Sequence, residues 1–311
     1  TTIDGLTITG SDVNDRPVIT GGMNVNTCDA ITLRNLVVKG VGSGSFVIGA
    51  GGVGFTMDHV TVDGENVAGR MGVGGGQVNG DISITHSEFL NIKGWAAFDT
   101  RSGSGGPTSG ADINSFVFSN NTVRNTQGHI NARGTLGDPA LTVTFSDNLV
   151  EQVGAATNSF GGILKAFYAV NASFTGNIIK DVGTSGYSPA GEAAYGAGIM
   201  PRNVQNLTIT GNTFENNNQA IAVEPRNSVI GGFPDGVLPA GVMSNNTFTG
   251  NKYGLYIPAT LNPSSNFNNL AVNQNNFSGS TTEAVHNGSA AGVLNAELNW
   301  WGAACGPTGT G

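Results

Sequence analysis

Apolar and polar positions alternate in short segments that recur along the whole chain. Each segment reads apolar, any residue, apolar, then two or three polar residues that often include Asn or Gly, then another apolar residue. Examples are ITLRNLVVKG, FVFSNNTVRNT, VTFSDNLVEQV and LTITGNTFENN. Such alternation predicts a strand with one buried face, and the polar group predicts a turn after it.

The spacing of these segments predicts a solenoid. We take the second apolar residue of each segment as its anchor, and successive anchors lie 24 to 35 residues apart. The anchors are Ile8, Leu33, Met57, Ile84, Phe118, Phe145, Phe174, Ile209, Met243, Val272 and Leu298. A period of this size indicates coils that each add short strands to parallel sheets. We predict an all-β, parallel β-helix solenoid of about eleven coils with every anchor in one core.

The polar turn after each anchor suits a ladder of asparagines. Asn tolerates a left-handed backbone and can hydrogen-bond to its copies in adjacent coils. The expected ladder residues are Asn120, Asn121, Asp147, Asn148, Asn177, Asn212, Asn246 and Asn275.

Over essentially its whole length the repeat resembles the right-handed parallel β-helix of the pectate-lyase-like superfamily. The resemblance implies one domain over residues 1–311 and is specific for fold, not for function. The ending NWWGAACGP resembles the closing turn of β-helix domains in bacterial secreted proteins, and we expect Trp300 or Trp301 to plug the core. Since the chain starts at Thr1, we expect a mature fragment of a larger secreted or cell-surface protein, whose further domains are potential partners.

Three long coils point to one binding face. Their extra residues are 99–112, 183–196 and 225–241, and solenoid insertions tend to collect on the binding side. The second strand of each coil reads AAFDTR, GHINAR, GILKAF, AGIMPR, AIAVEP and GLYIPA. Alternation turns inward Phe98, Ile130, Leu164, Ile199, Ile221 and Leu255. It turns outward a first column of Asp99, Asn131, Lys165, Met200, Ala222 and Tyr256, and a second of Arg101, Arg133, Phe167, Arg202, Glu224 and Pro258.

Four basic residues stand in these outward columns, with Arg70 and Arg226 beside them. They are Lys165, Arg101, Arg133 and Arg202, although the chain has only 13 Lys and Arg and a net charge of −8. Stacked like charges repel, so we favour a polyanion cleft over a solvated basic face. The acidic total disfavours nucleic acid, and no run of 18 apolar residues exists to span a membrane.

A uronic-acid polysaccharide would suit such a cleft. β-Elimination needs cations on the sugar carboxylate and a base for the neighbouring proton. We predict Lys165 as the base, with a pKa lowered by Arg133 and Arg202, which hold the carboxylate. The candidate substrate-binding residues are Arg101, Asp99, Asn131, Tyr256, Glu224 and Arg226.

GILKAF followed by AGIMPRN resembles the chondroitinase B and alginate lyase family, in which a catalytic Lys and Arg lie on successive coils. The resemblance implies Lys165 as base and Arg202 as acid. The family's glutamates before the lysine are absent from ATNSFGGILK, so we assign no metal ligand and no certain cofactor, leaving calcium open. MDHVTVDG resembles a pectate lyase segment, but its Arg-Pro motif is missing, so we expect Asp58 and His59 to be turn residues.

Two alternatives stay open. One is an inverting glycoside hydrolase that uses Asp99 and Glu224, although the Asp-Asp and Gly-His-Gly signatures are absent and His129 in QGHINARG is as readily a turn residue. The other is a non-catalytic, adhesive or structural cell-surface module. An enzyme predicts a concave site, whereas such a module predicts a flat strip with arginines paired to Asp99 and Glu224.

Overall fold

The structure, a computed structural model, describes residues 3–40, 45–100, 111–134, 141–151, 162–183, 196–224, 239–258, 267–288 and 293–302. These residues form 29 β-strands, and their strand pairings are parallel throughout. No helix long and apolar enough to cross a membrane occurs in this part of the chain. The protein is therefore an all-β, parallel β-helix solenoid, as the repeat predicts.

The strands stack in three groups, one for each face of the solenoid, and a short pair precedes them. The anchor face contains β2 (Thr7–Thr9), β6 (Ile31–Lys39), β7 (Phe46–Asp63), β8 (Met71–Thr85), β11 (Ile113–Ser119), β14 (Thr142–Ser146), β17 (Asn171–Thr175), β20 (Asn206–Thr210), β23 (Ala240–Ser244), β26 (Phe267–Asn273) and β29 (Leu294–Asn295). The second face contains β3 (Val18–Thr20), β9 (Glu88–Leu90), β12 (Thr122–Arg124), β15 (Leu149–Glu151), β18 (Ile178–Lys180), β21 (Thr213–Glu215), β24 (Thr247–Thr249) and β27 (Asn276–Gly279). The third face contains β4 (Met23–Val25), β10 (Ala96–Asp99), β13 (His129–Arg133), β16 (Gly162–Phe167), β19 (Ala197–Arg202), β22 (Gln219–Ala222), β25 (Tyr253–Ile257) and β28 (Glu283–Asn287). Three long strands named with the anchor face continue onto other faces: β6 onto the second, β7 onto the second and third, and β8 onto the third. The remaining pair is β1 (Ile3–Asp4) with β5 (Cys28–Asp29).

The predicted anchors stack in register from the first coil to the tenth. Each anchor from Ile8 to Met243 pairs with the next one along the chain, ending at Val272. The Phe145 and Phe174 rings lie face to face with centroids 5.1 Å apart, and Phe118 packs on Phe145 at 5.8 Å. This column of side chains confirms one continuous core.

Leu298 is the exception, and its assignment as the eleventh anchor is wrong. Its side chain is 80% exposed and its backbone is left-handed, with φ 58°. The pairing of Ala271 with Asn295 instead places Ala296 beside Val272, and Ala296 packs against the core. The last coil is therefore anchored two residues earlier than the apolar pattern predicts.

The asparagine ladder exists, but hydrogen bonding between coils and the left-handed turn are performed by two adjacent residues and not by one. The third residue after the anchor is buried in every coil of this series except the last, where Asn299 is partly buried. Its side-chain oxygen accepts a hydrogen bond from the backbone N–H of the equivalent residue in the preceding coil. This series contains Asn121, Asn148, Asn177, Asn212, Asn246, Asn275 and Asn299. Asn120 and Asp147, one residue earlier, are not in the ladder. They hold the left-handed turn, with φ 56° and 55°.

The core is closed at one end by an aromatic side chain, as expected. The Trp301 ring stacks on Phe277 with centroids 5.1 Å apart and packs against the core, whereas Trp300 is 51% exposed. The predicted inward residues of the third face, from Phe98 to Leu255, are all fully buried in the same core. Alternation therefore predicts correctly which side of the third-face strands is buried in the core.

Candidate functional site

The outward columns of the third face are in the predicted register. Asp99 pairs with Asn131, Asn131 with Lys165, and Lys165 with Met200. In the second column Arg133 pairs with Phe167, Phe167 with Arg202, and Arg202 with Glu224. The parallel pairing thus brings together the side chains that the sequence assigned to one site.

These side chains are buried in the structure, although alternation turns them away from the main core. Asp99 is 0% exposed, Asn131 and Lys165 are 1% exposed, and Glu224 is 2% exposed. A second apolar cluster, separate from the main core, explains part of this burial. It consists of Phe167, Tyr168, Ala197, Met200 and Ala222.

Three ionisable side chains form a continuous chain of contacts, which we call the buried charge network. Lys165 Nζ lies 3.0 Å from His129 Nδ1, and His129 Nε2 lies 3.0 Å from Asp99 Oδ2. Asn131 Nδ2 donates to the same carboxylate at 3.3 Å. The network crosses three successive coils, because Asp99, His129 and Lys165 lie on the neighbouring strands β10, β13 and β16.

His129 is the group that sequence reasoning misplaced. It was expected as readily in a turn, but it lies in β13, 1% exposed, with its ring 5.5 Å from Trp95. The signal was available, because His129 is two residues before Asn131 and alternation puts both on one face of the strand. The outward side of this strand therefore includes His129 as well as Asn131.

The two described arginines of the second column contact aromatic rings. The Arg202 guanidinium lies 4.4 Å from the Phe167 ring centre, and its Nε donates to Glu224 at 2.9 Å. The Arg133 guanidinium lies 5.4 Å from the ring of Tyr168, whose backbone is left-handed with φ 57°. Neither arginine is in register with Lys165, whose strand neighbours are Asn131 and Met200.

Of the remaining predicted site residues, Tyr256 lies in the part of the chain that the structure describes, in register with Ala222. Tyr256 is partly buried and stacks on His286 with ring centroids 4.6 Å apart. Burial, together with Tyr253 and Glu283 nearby, raises the pKa of Tyr256 above its ordinary value. Arg101 and Arg226, with most of the three insertions, lie outside the described residues.

Asp58 and His59 lie within β7, at the left-handed bend that follows the anchor Met57, which is the turn position expected for them. His59 is the second residue after its anchor and has the left-handed φ of 54° that this position takes in most coils. His86 repeats the arrangement one coil later with φ 48°.

The protein is therefore a parallel β-helix that has a buried charge network on its third face. Comparison with protein-family models matched no family, and neither the curated proteins nor the solved structures returned a match.

Proposed function

We propose that the protein is a secreted or cell-surface enzyme that binds an acidic, uronic-acid polysaccharide and cleaves it by β-elimination, with Lys165 as the base. The observation that carries the proposal is the contact of Lys165 with His129 and of His129 with Asp99. Burying a charged group costs several kcal/mol, so a fold seldom buries several together without a function. Clusters of buried, mutually contacting ionisable side chains are typical of functional sites. The resemblance of GILKAF and AGIMPRN to the chondroitinase B and alginate lyase family supports the same chemistry.

The network offers a way to keep a lysine uncharged near neutral pH. One proton lies between Lys165 Nζ and His129 Nδ1, and it can reside on either atom. When it resides on the ring, the imidazolium donates from Nε2 to Asp99, whose carboxylate stabilises the charge. Lys165 is then a neutral amine, and its single lone pair can accept a substrate proton once Nζ turns away from the ring N–H.

In the proposed reaction Lys165 takes the proton from the carbon next to the sugar carboxylate. The bond from the neighbouring carbon to the glycosidic oxygen breaks, a carbon–carbon double bond forms, and the protonated Lys165 returns its proton to the leaving oxygen. Arg133 and Arg202 stabilise the charge on the carboxylate. A guanidinium bound to Glu224 does not release protons at neutral pH, so charge stabilisation replaces the acid role that the resemblance implies for Arg202.

Because Lys165 is 1% exposed, the proposal requires the site to open when substrate binds. Glu224, which holds Arg202, is similarly buried. Substrate carboxylate would then compete with Glu224 for the guanidinium.

The test is incubation with a panel of uronic-acid polysaccharides, reading the absorbance of the unsaturated product. Lys165→Arg keeps the charge but cannot supply a neutral amine, so turnover should fall by a factor of about 100 or more. Lys180→Arg is the matched control, since Lys180 pairs with Glu215 on the second face. Full activity of Lys165→Arg would move the base elsewhere, to His129, Tyr168 or Tyr195. Absence of any cleavage by the unaltered protein would refute the enzyme proposal.

A non-catalytic surface module is the second candidate, and the pairing of Arg202 with Glu224 favours it. In that case anionic polysaccharide would bind without being cleaved, or would not bind. The hydrolase alternative has less support. Asp99 and Glu224 are four coil intervals apart, about 19 Å at the usual strand spacing, whereas an inverting pair is separated by about 6.5–9.5 Å.

A further inference from the structure

Two histidines occupy the same turn position in successive coils. His59 and His86 each follow their anchor by two residues, and the anchors Met57 and Ile84 are in register. Coils stack about 4.8 Å apart, so the repeat places one ring over the other. The ring centroids are 4.8 Å apart and the planes differ by 15°.

The fold itself does not require histidine here. The equivalent left-handed position holds Asn120, Gly176, Asn245 and Gln274 in other coils, so a small or amide residue is sufficient. A second observation concerns where the two rings point. His59 Nδ1 lies 3.0 Å and His86 Nδ1 lies 3.1 Å from the same atom, Asp58 Oδ1. Two imidazole nitrogens therefore lie close to one carboxylate oxygen.

We propose that Asp58, His59 and His86 bind one divalent transition-metal ion of the Zn²⁺ type, through the carboxylate and both Nδ1 atoms. The three donor atoms lie within 4.8 Å of one another. A tetrahedral Zn²⁺ with bonds of about 2.0–2.2 Å separates its ligand atoms by about 3.3–3.5 Å. The nitrogen–oxygen distances are already close to that, so small side-chain rotations suffice.

The donor set selects the kind of ion. Imidazole nitrogens suit Zn²⁺, Ni²⁺ and Cu²⁺, whereas Ca²⁺ takes six to eight oxygens. The side chains of Asp58, His59 and His86 are 31%, 37% and 50% exposed, which gives the ion a route from solvent and leaves room for water as a further ligand.

The surroundings keep the carboxylate ionised, as a ligand must be. Burial raises the pKa of Asp58, but hydrogen bonds from His86 and Thr85 and the proximity of His59 outweigh it, so the pKa lies below its ordinary value. Arg34 is in register with Asp58 on the preceding coil. Arg16, which donates to the His59 carbonyl, is paired with Glu88, so part of its charge is offset.

The ion would join two adjacent coils. Its ligands come from the bend after Met57 and from the equivalent bend after Ile84, 27 residues later. Binding would therefore fix the stacking of these two coils. An ion that binds only the folded state raises the apparent stability.

The experiment titrates the EDTA-treated chain with ZnCl₂ by calorimetry and with CoCl₂ by absorbance, with CaCl₂ for comparison. We expect one Zn²⁺ or Co²⁺ per chain at neutral pH, no comparable binding of Ca²⁺, and a higher unfolding midpoint with Zn²⁺. His86→Asn and Asp58→Asn should each weaken binding by about 10-fold or more. Asn suits the turn at position 86, as it does at 120, so folding should survive that change.

His286→Asn is the matched control, because His286 also contacts a carboxylate, that of Glu283 at 2.7 Å, but has no second histidine described beside it. This variant should bind Zn²⁺ as the unaltered chain does. The proposal fails if the unaltered chain binds no Zn²⁺ or Co²⁺, or if His86→Asn binds as tightly as His286→Asn. Equal binding of Ca²⁺ would also overturn it.

Discussion

The asparagine ladder should carry a large share of the local stability, and Asn177→Ala tests this. Asn177 is fully buried. Its Oδ1 accepts from the Asn148 backbone N–H at 3.1 Å, and its Nδ2 donates to the Phe145 carbonyl at 3.0 Å. Alanine cannot make either hydrogen bond, and no water replaces them in a buried turn.

The expected cost follows from those two groups. A buried donor or acceptor that loses its partner costs about 1–3 kcal/mol, so the free energy of unfolding should fall by about 4 kcal/mol. The neighbouring amides are less affected. The Oδ1 atom of Asn212 keeps its bond from the Asn177 backbone N–H, and Asn148 Nδ2 keeps its bond to Phe118 O.

Asn171→Ala in the same coil is the control. Asn171 is exposed, and its amide contacts Thr142 and Asn206 at the surface, where water can take their place. The Asn171→Ala substitution should lower the free energy of unfolding by about 0.5 kcal/mol or less.

Two measurements decide the outcome. Urea unfolding gives the global change, and native-state hydrogen exchange at the Asn148 amide reports the local one. The local measurement matters because the stability of a solenoid is close to a sum of coil and neighbour contributions. If Asn177→Ala and Asn171→Ala unfold at the same urea concentration, and the Asn148 amide exchanges no faster, then the ladder does not stabilise the turns.

Two further predictions concern turn residues. Leu298→Gly should raise the free energy of unfolding by about 1 kcal/mol, because Leu298 is exposed and its left-handed backbone disfavours any side chain; a lower thermal midpoint would contradict this. The pKa of folded Asp58 lies below its ordinary value of 3.8, so its carboxylate stabilises the fold above that pH and the contribution is lost as pH falls through the lower, folded-state pKa. Asp58→Asn in EDTA should therefore be less stable than the unaltered chain at pH 6, and the difference in unfolding midpoint should disappear toward pH 2; a difference independent of pH would refute the linkage.

The coils could be predicted from the residues alone, because strand alternation and turn chemistry are local properties. Phe118, Phe145 and Phe174 could be placed in one column from spacing alone. The error at Leu298 was avoidable. In six consecutive coils the ladder Asn follows its anchor by three residues, and counting back from Asn299 gives Ala296.

The register of the outward columns could also be predicted, although His129 was not among the predicted site residues. Parallel pairing in register makes a column of residues from different coils, so Asn131, Lys165 and Met200 followed from the coil alignment. The partners within the site could not. Which atom of His129 lies near Lys165, and that Arg202 binds Glu224, depend on side-chain directions that spacing does not specify.

The burial of this face could not be predicted from the residues and is a property of the folded chain. Alternation separates the two sides of a strand, but it does not tell whether the side away from the core meets water. Here that side has an apolar cluster of its own around Phe167 and Met200, and Lys165 is enclosed beside it. Burial is set by whatever packs on a surface from elsewhere in the chain, and no local pattern in GILKAF records that.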